Sequence, residues 1–234
     1  MKISIESGNI LISVEDAKSV YRNANNDKLP KLFTTLEQSD VYVSADYHLG
    51  KKFLHKQSTP EYAKHEANEK RIIELHNKVV KPDDTFLFLG DLSESEFGEE
   101  YEVDRIKEEV KKLIKTLNGK IVMIRGNNDT FDDQFYKDCG IYVVTNKDIV
   151  FTEKHAFSHY PCNVTGDMLN IHGHIHGSRK YWNIDPKNHI DVWWDMWGGP
   201  RKISDFDKIY ESGIYKGELI IKTDGDTHKW TNHI

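Results

Sequence analysis

Five places in the chain set metal-ligating side chains at the ends of short apolar runs, three of them directly beside glycine. Asp46 and His48 form an Asp-x-His pair after Val41-Tyr42-Val43, and Gly90-Asp91 closes the run Thr85–Leu89. Arg125-Gly126-Asn127-Asn128-Asp129 follows Ile121–Ile124, His159 follows Ala156-Phe157, and His172-Gly173-His174-Ile175-His176-Gly177 follows Met168–Ile171. Carboxylates, imidazoles and an amide oxygen are hard-to-borderline ligands. They suit Mn, Fe, Zn, Ni or Co rather than a soft thiolate site. Each element alone is weak: Asp-x-His is usually a surface turn, Gly-Asp is common turn chemistry, and His-x-His also arises from strand alternation. Their joint occurrence at successive strand ends is the signal. In an α/β sheet the carboxyl ends of the strands face a common crevice, where these groups would converge. Glycine beside three of these motifs lets the backbone turn sharply and is expected to leave room for a substrate.

The elements that must position them follow from the spacing of apolar residues. Short runs of this length and composition read as buried strands, Ile149–Phe151 among them. Glu61–Val80 reads as a helix stopped before Pro82. Gly98–Leu117 reads as a second, with Ile106, Val110, Leu113, Ile114 and Leu117 on one face. Its lysines alternate with glutamates and describe a solvated face rather than a nucleic-acid stripe. A last helix fits Ser204–Ser212, with Ser204 as N-cap and Gly213 as stop. Upstream, residues 3–13 read as a hairpin around Ser7-Gly8-Asn9, and Val14–Asn25 as a short helix. Residues 1–39 are therefore taken as an N-terminal extension and 40–234 as the main domain of an α/β protein.

Composition narrows the function. The 234 residues suffice for one sizeable domain. A formal net charge of −6 argues against bulk nucleic-acid binding as the main task. No apolar run approaches the roughly 18 residues needed to cross a bilayer, and Met1–Ile10 lacks a signal-peptide core. Cys139 and Cys162 make no disulfide framework and are expected as reduced thiols in a cytoplasmic protein. Twelve histidines exceed what a structural protein needs.

The order Asp-x-His, Gly-Asp, Gly-Asn-x-Asp, His, Gly-His-x-His resembles the calcineurin-like metallophosphoesterase superfamily. The likeness runs from Asp40 to about Asp205, and the segment His189–Phe206 resembles the aromatic-rich strand and short helix of its small bacterial and phage members. Residues 1–39 fall outside it. The resemblance implies a four-layer α/β/β/α sandwich and two divalent ions, manganese foremost, with Fe, Ni, Zn or Co as alternatives. It assigns Asp46, His48 and His176 to one ion, Asn127, His159 and His174 to the other, and Asp91 as the bridge. Two such ions share a hydroxide for in-line attack on a phosphate ester.

One departure stands out. The superfamily commonly reads Gly-Asn-His-Asp, with a histidine that assists the leaving group. Here the position is Asn128, which donates hydrogen bonds but cannot deliver a proton. Asp129, which supports that histidine in the family, is left with a different catalytic task. His55 is the candidate replacement proton donor. Arg125 and Arg179 are candidate phosphate ligands, as against a salt-bridge partner and a surface side chain. Trp193, Trp194 and Trp197 read as a core and covering flap, with a base-binding wall as the sharper alternative. The expected activity is hydrolysis of a small phosphodiester, nucleotide-derived, rather than of a monoester. The alternative is a catalytically weak binding scaffold on the same fold; zinc storage is disfavoured because the ligands lie on five separate loops.

Overall fold

The computed structural model of the chain describes residues 4–6, 9–11, 41–99, 101–145, 149–151, 154–164, 168–178 and 188–211. The helix expected over Val14–Asn25 and the candidate ligand Arg179 lie outside these residues.

Strands β1 (Ser4–Glu6) and β2 (Asn9–Leu11) pair antiparallel; residues 7 and 8, where the expected hairpin turns, lie outside the described residues. After β3 (Tyr42–Ser44) come helix α1 (Pro60–Val79), β4 (Thr85–Leu89), helix α2 (Val103–Lys115) and β5 (Lys120–Ile124). Helix α3 (Asp133–Asp138), β6 (Val143–Thr145), β7 (Ile149–Phe151), β8 (His155–Ser158), β9 (Cys162–Asn163) and β10 (Leu169–His172) follow. The described chain ends with β11 (His189–Asp191), α4 (Trp194–Trp197), β12 (Arg201–Lys202) and α5 (Ile203–Glu211). One sheet has the order β12-β3-β4-β5-β6 and a second β11-β10-β8-β7; β1-β2-β9 make a small third. All neighbours in the first two are parallel except β12 against β3 and β7 against β8.

Strand alternation divides the interior in two. Val43, Leu87, Leu89, Val122 and Ile124 of the five-stranded sheet share one core with Phe157, Leu169, Ile171 and Ile190 of the four-stranded sheet. The opposite face of the first sheet sends Phe86, Phe88, Ile121 and Met123 into a second core with Ile72 of α1 and Ile106, Val110 and Ile114 of α2. Each such side chain, fully buried, contributes roughly 1.5–3 kcal/mol. The fold is mixed α/β, with strand pairing in the two larger sheets predominantly parallel.

Helix α1 starts as Thr59 accepts from Tyr62 N at 3.3 Å, with Pro60 in its first turn. Helix α2 begins at Val103, five residues later than the start expected at Gly98. Before it, Gly98 N donates to Phe53 O at 3.0 Å and the Tyr101 hydroxyl to His55 O at 2.7 Å, which ties that segment to the loop after β3.

Candidate metal centre

The loops that leave β3 and β4 run side by side toward the common edge. Asp46 N donates to Gly90 O at 3.0 Å, His48 N to Asp91 O at 2.9 Å, and Leu49 N to Leu92 O at 2.9 Å. The loops after β8 and β10 are joined by Gly173 N to His159 O at 3.1 Å, and His174 N donates to both oxygens of Asp46 at 3.0 and 3.1 Å. Polar ends of both sheets therefore meet at one place.

Backbone conformation marks the same residues. Among the described residues, the non-glycine ones with positive φ are Asp46 (61°), His48 (48°), Asp91 (57°), His174 (71°) and His176 (46°). Left-handed backbone at a non-glycine residue costs on the order of 1 kcal/mol or more and persists only where the surroundings impose it. Five such residues, all candidate ligands, are a local strain concentrated at one site.

Two groups of potential ligand atoms result: Asp46, His48 and His176, and beside them Asp91, His159 and His174. In the first, His48 Nε2 lies 3.3 Å from His176 Nε2, and His176 Nε2 lies 3.6 Å from Asp46 Oδ1. In the second, His159 Nε2 stands 3.0 Å from Asn127 Oδ1, 3.2 Å from His174 Nδ1 and 3.5 Å from Asp91 Oδ2. Asp91 Oδ2 is also 3.7 Å from His48 Nε2, so one carboxylate oxygen lies between the groups. Asp46, Asp91 and His159 form a buried floor; His174 and His176 are half-buried and Asn127 is exposed.

The donor set fits a cation. His159 Nδ1 is directed at the acceptor Leu89 O at 2.9 Å and must carry the proton, which leaves Nε2 as a lone pair aimed at acceptors. Burial pushes the His174 imidazole down to about 4, so at neutral pH it adds another lone pair rather than a positive charge. Burial by itself would raise the Asp46 carboxyl, yet its hydrogen bond with His176 leads the influences that hold it below its ordinary value.

The glycines beside the ligands do something other than the sequence suggests. A Cβ on Gly126 would stand 2.2 Å from Asp91 Oδ1, and one on Gly90, at φ +86°, 2.4 Å from His159 Nδ1. They make room for the ligand side chains themselves, rather than for a substrate.

The remaining candidates divide. Asn128 faces the centre: its N and Nδ2 donate to Asp91 Oδ1 and Oδ2, each at 2.8 Å. Asp129 is buried, and its Oδ2 accepts from Asp91 N at 2.7 Å and Gly126 N at 2.9 Å, its Oδ1 from Ser93 N at 3.0 Å. Burial pushes its carboxyl up to about 6 against those hydrogen bonds. It stitches the Gly90 and Gly126 loops together and has no free oxygen to offer a substrate.

Arg125 donates from Nε to Asp129 O at 3.0 Å, from NH2 to the carbonyls of Asp129 and Phe131, and from NH1 to Asp133 at 3.0 Å. Its guanidinium anchors the 125–133 loop instead of pointing at a phosphate. His55 belongs to neither ligand group; its ring stacks on that of His65 with centroids 5.2 Å apart and planes 6° apart. Trp194 and Trp197 are buried in the two cores, as the core reading expects, whereas half-buried Trp193 stacks on His176 at 5.3 Å and 14°. His155 and His189 are buried, bonded to Asp207 at 2.6 Å and to Cys162 O at 2.9 Å.

Sequence reasoning missed three residues. Asp191 accepts from Gly177 N at 2.6 Å and Trp193 N at 3.0 Å, which fixes the loop carrying His176. Tyr160 packs its ring 4.4 Å from His174. Glu94 places Oε2 3.6 Å from His48 Nδ1. The position of Glu94 three residues after Asp91 was visible in the sequence, but an acid in a loop carries no signal by itself.

A family model for calcineurin-like phosphoesterase matches residues 39–221. An uncharacterized protein of Methanocaldococcus jannaschii is 29% identical over 151 residues, which cover 63% of this chain and 76% of that protein. Among solved structures, a protein of unknown function from Aquifex aeolicus is similar with a TM-score of 0.45 and 21% identity, covering 72% of this chain and 98% of that one. The nuclease MPE of Pseudomonas putida is similar with a TM-score of 0.39 and 26% identity over 59% of this chain and 62% of its own. With that family match spanning every one of the converging ligand loops, the chain belongs to the calcineurin-like phosphoesterase family.

Proposed function

We propose that the protein hydrolyses small phosphodiesters using two divalent metal ions, manganese foremost, with Fe, Ni, Zn or Co as alternatives. Asp46, His48 and His176 would hold one ion and Asn127, His159 and His174 the other, with Asp91 as the carboxylate that would serve both. The observation that carries this reading is the placement of Asp91 Oδ2, 3.7 Å from His48 Nε2 and 3.5 Å from His159 Nε2, between two separate ligand groups. When bound, the ions supply Lewis acidity that activates water and neutralises charge on the phosphoryl oxygens. The chain's own residues orient that chemistry: His174 N fixes Asp46, Asn128 fixes Asp91, and Leu89 O sets the tautomer of His159.

Two features favour a diester. Asn128 offers no proton to an alkoxide, so a leaving group must depart with little protonation. Arg125 is engaged in its own loop, and a diester, with one negative charge fewer than an ionised monoester, relies less on an added cation. Trp193 beside His176 and Tyr160 beside His174 set one aromatic ring against each ligand group, which suits the flat base of a nucleotide-derived substrate. Two free, buried cysteines suit a cytoplasmic setting, and among the described residues no helix is long and apolar enough to cross a membrane.

The test is turnover of bis(p-nitrophenyl) phosphate against p-nitrophenyl phosphate by stripped protein refilled with Mn²⁺. The diester should be preferred. Asn128→His should raise turnover of poor leaving groups by about 10-fold, more than that of nitrophenyl esters. A wild type that favours alkyl monoesters contradicts this reading. A protein that binds both ions yet turns over neither ester supports the scaffold alternative, to which Asn128 lends its one point of support.

A further inference from the structure

The two ligand groups differ at the far nitrogen of an imidazole. His159 Nδ1 has its acceptor in Leu89 O at 2.9 Å. His48 Nδ1 is buried and has no hydrogen-bond partner, although Glu94 Oε2 lies 3.6 Å from it. A buried imidazole N–H left without an acceptor costs roughly as much as a lost hydrogen bond, so such orphans call for an explanation.

Glu94 is built into this position. Its N donates to Leu49 O at 2.8 Å, continuing the ladder in which Leu49 N donates to Leu92 O, so the acid stands directly beside the His48 loop. Its Oε1 accepts from Ser95 N at 3.1 Å and Glu96 N at 3.4 Å, which leaves Oε2 for the imidazole. The residue is buried and belongs to neither ligand group.

We infer that Glu94 is a positioning residue for His48. Its Oε2 accepts the Nδ1 proton, fixes the tautomer that leaves Nε2 free, and so tunes the first ligand group alone. This rests on the ligand assignment proposed above. Donation from Nε2 to a cation polarises the Nδ1–H and strengthens its contact with the carboxylate. Partners of this kind typically change metal affinity by about 10–100-fold.

The experiment is a calorimetric Mn²⁺ titration of stripped wild type, Glu94→Gln and Glu94→Ala, with metal-free melting temperatures and ¹⁵N spectra of the histidines measured alongside. Glu94→Ala should weaken one of the two ions by about 10–100-fold and leave the other nearly unchanged. Glu94→Gln, a neutral acceptor, should fall between, and the His48 Nδ1–H resonance should shift in both. Unchanged affinity, or equal weakening of both ions, overturns the inference. So does an affinity loss in Glu94→Ala that follows a fall in metal-free melting while Glu94→Gln behaves as wild type, because a loop cap would do the same. Should Glu94→Ala not fold, Glu94→Gln against wild type decides alone. If wild type binds fewer than two ions, the ligand assignment itself falls, an outcome distinct from two ions bound with no role for Glu94.

Discussion

The first ligand group, Asp46, His48 and His176, and the second, Asp91, His159 and His174, are held in place by different means. All three residues of the first have left-handed backbone, and its carboxylate is fully buried. The second relies more on side-chain hydrogen bonds: His159 is absent from the strained residues and is fixed through Leu89 O, while Asn128 grips both oxygens of Asp91. The Asn128 amide thus occupies Asp91 Oδ2, the oxygen that a cation in the second group would need. Filling either group through that oxygen must displace or share the hydrogen bond, but the first group has the Asp46 carboxylate as well, whereas Asp91 is the second group's one carboxylate. We expect the first group to bind its ion more tightly.

The comparison is broken most severely by removing ligands one group at a time. His48→Ala and His176→Ala should abolish the tighter ion, and His159→Ala and His174→Ala the weaker, as read by two-site metal titration. His155→Ala and His189→Ala should leave both ions bound. Equal loss for all six would mean that the histidines act through folding. The next effect is smaller and of opposite sign. Asn128→Ala frees Asp91 Oδ2 of a charge-assisted hydrogen bond worth about 1.5–3 kcal/mol at most, so the weaker ion should bind up to about 10-fold more tightly. If the tighter ion responds instead, the order of the groups is reversed.

A third effect concerns the support of the first group. Burial pushes Asp191 up to about 6 from its ordinary 3.8, with Asp46 adding to the rise. The folded, metal-free chain therefore takes up this proton at higher pH than the unfolded chain. Ionised Asp191 costs stability above pH 6, and the chain regains it as the pH falls from 6 toward 3.8. Urea unfolding at several pH values should show this slope in wild type and lose up to about 1.4 kcal/mol per pH unit of it in Asp191→Asn. An unchanged slope would remove Asp191 from the account.

The five-stranded sheet was legible in the sequence because β4 and β5 are apolar on both faces, so their runs are continuous. The four-stranded sheet was less so. Leu169, Ile171 and Ile190 face the shared core, but Asn170, His172, His189 and Asp191 are polar and equally buried. That face holds the site's loops: Asn170 accepts from Cys162 N at 2.9 Å, three residues beyond His159. Strand β11 was therefore indistinct by residue pattern, and β6, β12, α3 and α4 are too short for periodicity to register. Of the site, ligand types and strand-end placement were readable. Residues that act by accepting hydrogen bonds from loop backbone, such as Asp129, Asp191 and Glu94, have partners set by tertiary structure. Arg125 stayed undecided between phosphate ligand and salt-bridge partner because its charge was visible and its engagement with Asp133 and the Asp129 and Phe131 carbonyls was not.

The claim on which the rest depends is that one carboxylate joins two metal sites. The most direct measurement is the metal content, by elemental analysis, of stripped protein refilled with Mn²⁺, for wild type and Asp91→Ala. The account predicts two ions per chain in wild type, with both weakened in the variant and turnover lowered by about 10³-fold, the upper scale for losing a charge-stabilising group. One ion or none in wild type, or a variant that still binds both, would contradict it.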